Sequence, residues 1–206
     1  MKNRYALASL LLLAVSISVS AAALAFQQSN AVVAAGVTAG QVIGDFKLPD
    51  AASGTQRSLA SLKGANGTVL IFVSTQCPVS NAYNERMEKL AADYKARGIN
   101  VVGINSNIAE TPDDIKRHAA EKNLTFPILK DAGNKVADML GANVTPETFF
   151  LDAGNKLVYH GRIDNSRNAG SITASDLREA LNAKLAGKPV ARTEAKAFGC
   201  SIKRAS

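Results

Sequence analysis

Leu70-Ile71-Phe72-Val73-Ser74-Thr75-Gln76-Cys77-Pro78-Val79-Ser80 is the stretch that decides how this chain folds. Its first residues continue an apolar run over 68–73 that is rich in β-branched side chains, as in a strand covered on both faces. The run leads into a cysteine and a proline. Apolar residues then recur at Val79, Tyr83, Met87, Leu90 and Tyr94, one face of a helix stopped near Gly98. A thiol is thereby set at a helix N-terminus, where unpaired backbone N–H groups and the helix dipole favour negative charge. Such a thiol ionises more easily than usual, and the thiolate is the reactive form. The chain has one other cysteine, Cys200, more than a hundred positions away.

Working outward, residues 99–104 form a second buried apolar run, and Thr111-Pro112-Asp113-Asp114 marks a helix start with an N-cap, an early proline and two acidic residues. A short extended segment over 126–129 precedes a short helix over 134–140, ended by Gly141. Residues 148–151 and 156–160 flank Asp152-Ala153-Gly154-Asn155, a hairpin signal because Gly and Asn tolerate positive φ. A last helix starts near Ser175, with Leu177, Leu181 and Leu185 on one face, and ends at Gly187. Upstream, residues 42–48 and 56–62 read as short extended or turn-rich segments. Early strands alternating with helices predict a parallel pair, and the hairpin adds antiparallel strands. The expected class is α/β: a central mixed sheet with helices on both faces.

The N-terminus has a different character. Lys2 and Arg4 precede an uncharged, mostly apolar run from Ala6 to Ala25 that closes on Ala23-Leu24-Ala25, a small-x-small pattern. Residues 1–25 are read as a secretory signal cleaved near Ala25. The alternative is an uncleaved anchor over residues 6–25, since a run of this length just spans a bilayer. Residues 26–40 read as a linker, 41–187 as the folded domain and 188–206 as a basic tail carrying Cys200. An exported chain meets an oxidising compartment, the periplasm in this reading, where a disulfide persists. Two cysteines are too few for a disulfide scaffold, so the core is built by hydrophobic packing.

The formal charge of the 206-residue chain is +7. Its lysines and arginines are scattered among acidic residues except in the tail, where Lys188, Arg192, Lys196, Lys203 and Arg204 gather. This is read as a solvated basic surface and not a nucleic-acid site. A membrane partner is expected only if the N-terminal segment stays uncleaved. His118 and His160 lack metal-ligand spacing and read as packing or surface residues. Neither a metal nor a cofactor is expected.

A buried strand, Cys77-Pro78 at a helix start, a further strand–helix unit, and Thr145-Pro146 directly before Thr148-Phe149-Phe150-Leu151-Asp152 together resemble the thioredoxin superfamily, most closely its redoxin or peroxiredoxin-like branch. The resemblance covers about residues 41–187. It implies that Pro146 is a cis-proline facing the reactive cysteine, and that Thr75, Pro78, Thr145 and Pro146 shape the groove where a substrate backbone docks. The departures from these families are specific. Thioredoxins carry Cys-x-x-Cys, and here the second position is Ser80, so no neighbouring thiol can attack a mixed disulfide. Peroxiredoxins carry Pro-x-x-x-Thr-x-x-Cys. With Ser80 in the cysteine place, Cys77 and Val73 replace the threonine and proline; with Cys77 in that place, Ser74 and Leu70 do. Neither register reproduces the motif, and the arginine of that family aligns with Pro146. Copper-delivering relatives need a cysteine where Asn81 stands.

Arg162 and Asp164, which follow the hairpin, are candidates for the face that carries Cys77, with Arg162 and Ser80 as possible supporting residues. Cys200 lies outside the packed elements and has three readings: a resolving partner for Cys77, a structural bridge elsewhere, or an unpaired tail residue. A Cys77–Cys200 bridge closes a long loop, worth roughly 4–5 kcal/mol in the chain-entropy account. The expected function is an exported thiol–disulfide oxidoreductase with Cys77 as the reactive thiolate and Cys200 as its possible resolving thiol. Its partners are a protein or small-molecule disulfide, thiol or peroxide and an external thiol reductant. The alternatives are a peroxiredoxin-type hydroperoxide-reducing enzyme and a non-catalytic binding module that uses the same groove.

Overall fold

The computed structural model describes residues 36–204. The expected signal segment over 1–25, and most of the expected linker, lie outside the described residues.

Among the described residues ten strands and six α-helices follow in order: β1 (Lys47–Pro49), β2 (Gln56–Ser58), α1 (Leu59–Leu62), β3 (Gly67–Phe72), α2 (Pro78–Asn81), α3 (Asn84–Lys95), β4 (Ile99–Asn105), α4 (Pro112–Glu121), β5 (Ile128–Lys130), α5 (Lys135–Leu140), β6 (Val144–Thr145), β7 (Glu147–Leu151), β8 (Leu157–Gly161), α6 (Asp176–Leu185), β9 (Glu194–Ala195) and β10 (Cys200–Ser201). Six of the strands make one mixed sheet in the order β5-β4-β3-β7-β8-β9. β3 lies parallel to β4 and antiparallel to β7, so the apolar run before Cys77 is a central strand.

All six residues of β3 are buried, and their alternation splits the core into two layers. Val69, Ile71 and Val73 face one layer with Met87, Leu90 and Tyr94 of α3, Ile115 of α4, and Leu177 and Leu181 of α6. Leu70 and Phe72 face the other, with Leu59 and Leu62 of α1 and Val136, Ala137 and Leu140 of α5. A strand covered on both faces has no polar side to show, which is why the run reads as continuously apolar. The mixed sheet with helices on both faces is the architecture expected from the sequence.

The hairpin forms as expected: Asn155 takes φ 59°, and the Asp152 carboxylate accepts the Gly154 and Lys156 N–H groups. At α4, Thr111 and Asp114 cap each other reciprocally.

Residues 56–62, read as extended or turn-rich, divide into the strand β2 and the one-turn helix Leu59–Leu62, which Ser58 and Ser61 start with a capping box. Three expectations need correction. The helix after Cys77 is broken into α2 and α3. The Tyr83 N–H turns to Ser80 O, three residues back, while its hydroxyl is held by Asp164 and Ser166 O. Residues 36–40, expected in the linker, join the domain: Val37 packs on the second layer and the Gly40 N–H donates to Leu157 O. The tail beyond 187 is also not outside the packing. Ala195 pairs beside Gly161 in β9, and Ile202 is buried in the second layer. Among the described residues no helix is long and apolar enough to cross a membrane.

Candidate active site

The site begins where β3 ends. Ser74 turns the chain out of the sheet, and its hydroxyl accepts the N–H groups of Gln76 and Cys77 at 3.2 and 3.0 Å. Cys77 is the N-cap of α2, with Pro78 in the first turn, where a missing N–H costs no hydrogen bond. The Cys77 Sγ accepts the Ser80 N–H at 3.3 Å. In its thiol form it donates to Thr145 O, also at 3.3 Å. Only 3% of Cys77 is exposed.

Thr145 belongs to β6, and the Thr145–Pro146 peptide is cis, as the family resemblance implied. β6 carries β10 in an antiparallel ladder that puts Cys200 opposite Thr145 and Ser201 opposite Val144. This pairing brings Cys200 to Cys77. The two cysteines are free, and each thiol shifts the ionisation of the other. Burial alone pushes the Cys77 thiol up. Hydrogen bonds from the Cys200 thiol, the Thr145 side chain and the Ser80 and Cys200 backbones outweigh it, and the net direction is down. Cys200 moves the opposite way: its hydrogen bond to Cys77, burial and the negative charge of a Cys77 thiolate raise it against the opposing effects of the Val79 backbone and Lys203. The opposite directions make Cys77 the thiol of the pair that ionises first.

A buried carboxylate supports the loop. Glu110 is 2% exposed. It accepts the Ser74 hydroxyl at 2.5 Å, the Thr75 N–H at 2.7 Å and the Asn105 and Asn107 amides at 2.6 and 3.1 Å. Burial pushes its carboxyl up, but these hydrogen bonds prevail and hold it below the usual range. The buried Lys130 ammonium donates to Asn105 Oδ1 and Asn107 O; burial lowers its pKa against the pull of Glu110 and Asp131. Asn107 Oδ1 in turn accepts the Lys203 N–H at 2.7 Å. One polar network therefore holds both the Cys77 loop and the segment that carries Cys200.

Several residues singled out in the sequence converge here. Thr75 is half-buried and fixes the loop through Glu110 and through the Asn81 amide, which donates to Thr75 O at 2.9 Å. Pro78 is exposed beside the buried Cys77, and Thr145 and Pro146 are buried. Ser80 supplies its N–H to Cys77, while its hydroxyl accepts the Ser74 N–H at 3.2 Å. Arg162 is turned elsewhere: its Nε donates to Asp176 at 2.7 Å. Asp164 instead anchors Tyr83 and Arg86. His160 stacks on Phe149 and bonds Glu147 at 2.6 Å, and His118 meets Asn84 at 3.1 Å. Among the described residues no group of three or more His, Cys, Asp or Glu converges as a metal site would. Sequence reading missed Ser74, Asn105, Asn107, Glu110 and Lys130. The usable signal was a Glu directly before a helix cap that already had an acidic partner.

Comparison with known proteins agrees with this geometry. The profile of the AhpC/TSA family matches residues 39–160. Thiol-disulfide oxidoreductase ResA of Halalkalibacterium halodurans is 32% identical over 120 residues, which are 58% of this chain and 66% of that protein, just under two thirds of its length. Thioredoxin-like protein YneN of Bacillus subtilis is 36% identical over 120 residues, 57% of this chain and 67% of the relative. Among solved structures, the hypothetical protein SMc02350 of Sinorhizobium meliloti 1021 superposes with a TM-score of 0.77 at 38% identity, covering 83% of this chain and 97% of that one. The fold is thus thioredoxin-like.

Proposed function

This chain belongs to the AhpC/TSA family, and on that footing we propose that it is a thiol–disulfide oxidoreductase in which Cys77 is the attacking thiolate and Cys200 the second thiol of the redox pair. The observation that carries this reading is the register of β10 on β6, which sets Cys200 opposite Thr145, the residue whose carbonyl accepts from the Cys77 thiol at 3.3 Å. The name of the relative ResA supports the same reaction class.

The chemistry follows from the order of ionisation. The Cys77 thiolate attacks one sulfur of an incoming disulfide, a Cys77 mixed disulfide forms, and the other half leaves as a thiolate. Cys200 then attacks the Cys77 sulfur and gives its proton to the departing substrate thiolate. The product is a Cys77–Cys200 disulfide and a fully reduced substrate. An external dithiol resets the pair by the same exchanges in reverse. Ser80 cannot supply the second thiol, and β10 delivers one from the far end of the chain instead.

The test is stoichiometric. The reduced chain, mixed with an excess of a small aromatic disulfide and no other thiol, releases two thiolates per protein and retains no cap. Cys200→Ser releases one and keeps its cap on Cys77. Two releases from Cys200→Ser, or a stable cap on Cys200 in the parent chain, contradict the assigned order.

The family match favours one second reading, hydroperoxide reduction with Cys77 oxidised to a sulfenic acid. Among the described residues the Cys77 sulfur accepts from the Ser80 N–H and donates to Thr145 O, and no guanidinium bonds it. This weighs against peroxide as the main substrate. Hydroperoxide consumption that outpaces disulfide reduction under one thiol donor reverses that order.

The reading includes export to the periplasm, supported by the signal-like pattern over 1–25 and by chemistry suited to an oxidising compartment. Envelope protein whose first residue lies near Phe26 supports cleavage; retention of Met1 supports the anchor over 6–25. Protein or small-molecule disulfides and an external thiol reductant are the partners in this account.

A further inference from the structure

Building on that thiol chemistry, we propose that the C-terminal segment from Phe198 to Lys203 is a removable occupant of the active-site edge. It covers Cys77 until a protein partner presenting an extended Gly-Cys-x-aliphatic segment takes its place on β6.

The register of β10 supplies the rule for the partner. Side chains along an extended strand alternate. Cys200 lies opposite Thr145, whose carbonyl accepts from the Cys77 thiol, Ser201 is exposed, and Ile202, 5% exposed, enters the second core layer. Gly199 is in close contact with the backbone of β6: a Cβ built there would lie 1.9 Å from Thr145 O. Any side chain at that position therefore forces the strand away. A segment that pairs as β10 does needs glycine before its cysteine and an aliphatic residue two places after it. Main-chain pairing of this kind gives affinity, and the alternate pockets give selectivity.

The attachment of the tail is local and made of parts that a partner can replace. The Ile202 N–H donates to Asn143 O at 2.9 Å, and the Ile108 N–H donates to Lys203 O at 2.9 Å. Phe198 lies edge-on to Tyr83 with ring centroids 6.3 Å apart. Arg204 holds Asp138 at 2.8 Å beyond the strand. With this segment in place only 3% of Cys77 is exposed.

The experiment uses the full chain with Cys200→Ser, which leaves Cys77 as its single thiol. Alkylation by iodoacetamide is followed at about pH 10, above the ordinary thiol range near 8.5, so that access and not ionisation sets the rate. Adding Gly199→Ala, or separately Ile202→Ala, raises the rate at least tenfold with the far-ultraviolet circular dichroism unchanged. Equal rates in all three chains overturn the covering role.

The partner rule is tested with the peptide Ala-Phe-Gly-Cys-Ser-Ile-Lys-Arg, its cysteine joined to thionitrobenzoate. The Cys77 thiolate attacks the peptide cysteine sulfur, the protein–peptide disulfide forms, and thionitrobenzoate leaves as a coloured thiolate. The Ile202→Ala chain is captured at least tenfold faster by this peptide than by one with alanine in place of its glycine. Indifference to that glycine overturns the register. Multiple-turnover disulfide reduction by the parent chain is measured alongside. Equal alkylation with turnover retained removes the cover alone, whereas a rate difference without turnover removes the oxidoreductase reading alone.

Discussion

Replacing Glu110 by glutamine keeps the size of the side chain and removes its charge and one acceptor oxygen. Oε1 receives the Ser74 hydroxyl and the Asn107 amide, while Oε2 receives the Thr75 N–H and the Asn105 amide. Whichever way the new amide is turned, its NH2 group faces two donors. In one orientation these are Thr75 and Asn105. In the other they are Asn107 and Ser74, whose hydroxyl then has to reverse. Stranding a buried donor costs about 1–3 kcal/mol. Lys130 also loses a negative neighbour. Because members of one network do not add simply, the expected total is about 3 kcal/mol. With a urea slope of about 2 kcal/mol/M, the unfolding midpoint falls by roughly 1.5 M, measured under reducing conditions. The pH dependence carries a definite sign. The folded Glu110 carboxyl lies below its unfolded value, so its contribution is fully present above the unfolded range near about 4.3 and is lost as pH falls through the folded value. The stability gap between parent and Glu110→Gln therefore narrows below about pH 4. A loss under about 1 kcal/mol, or a gap unchanged from about pH 7 to about pH 3, refutes the assigned role of Glu110.

Two further changes test the frame around the site. Tyr83→Phe removes a buried hydroxyl whose single proton lies within reach of two acceptors, Asp164 and Ser166 O, both at 2.9 Å; it is expected to cost about 1 kcal/mol and lower the melting temperature by about 2–4 °C, and an unchanged melting temperature counts against it. Gly161 takes φ +140°, and a Cβ there would lie 1.8 Å from Ala195 O. Gly161→Ala is accordingly expected to unpair β9 and cost at least about 2 kcal/mol, with faster amide exchange at Arg162, whose N–H donates to Ala195 O. Retained protection at Arg162 argues against this.

The parts of the fold that were legible in the sequence are those with a strong local period. β3 is apolar throughout because both of its faces are covered, and Cys77-Pro78 punctuates its passage into α2. The hairpin was marked by its Gly-Asn turn, and α4 by its cap. What stayed hidden has no period to read. β6, β9 and β10 are two residues each, too short for alternation to be seen. The contact of Cys200 with Cys77 arises from the pairing of two such strands. Glu110 was equally silent, since a charged residue before a helix reads as solvent-facing until Ser74, Asn105 and Asn107 are seen around it. The break at Tyr83 was masked because Val79 and Tyr83 keep the helical spacing across it.

The central claim is that Cys77 and Cys200 exchange electrons as one pair, and a non-reducing peptide map tests it most directly. Reduced full-length chain is treated with one equivalent of a small disulfide, quenched in acid, digested and analysed by mass spectrometry. The account predicts that both thiols disappear together into a single cross-linked peptide pair joining Cys77 to Cys200. Two separately capped cysteines, or dimers joined through either one, contradict it.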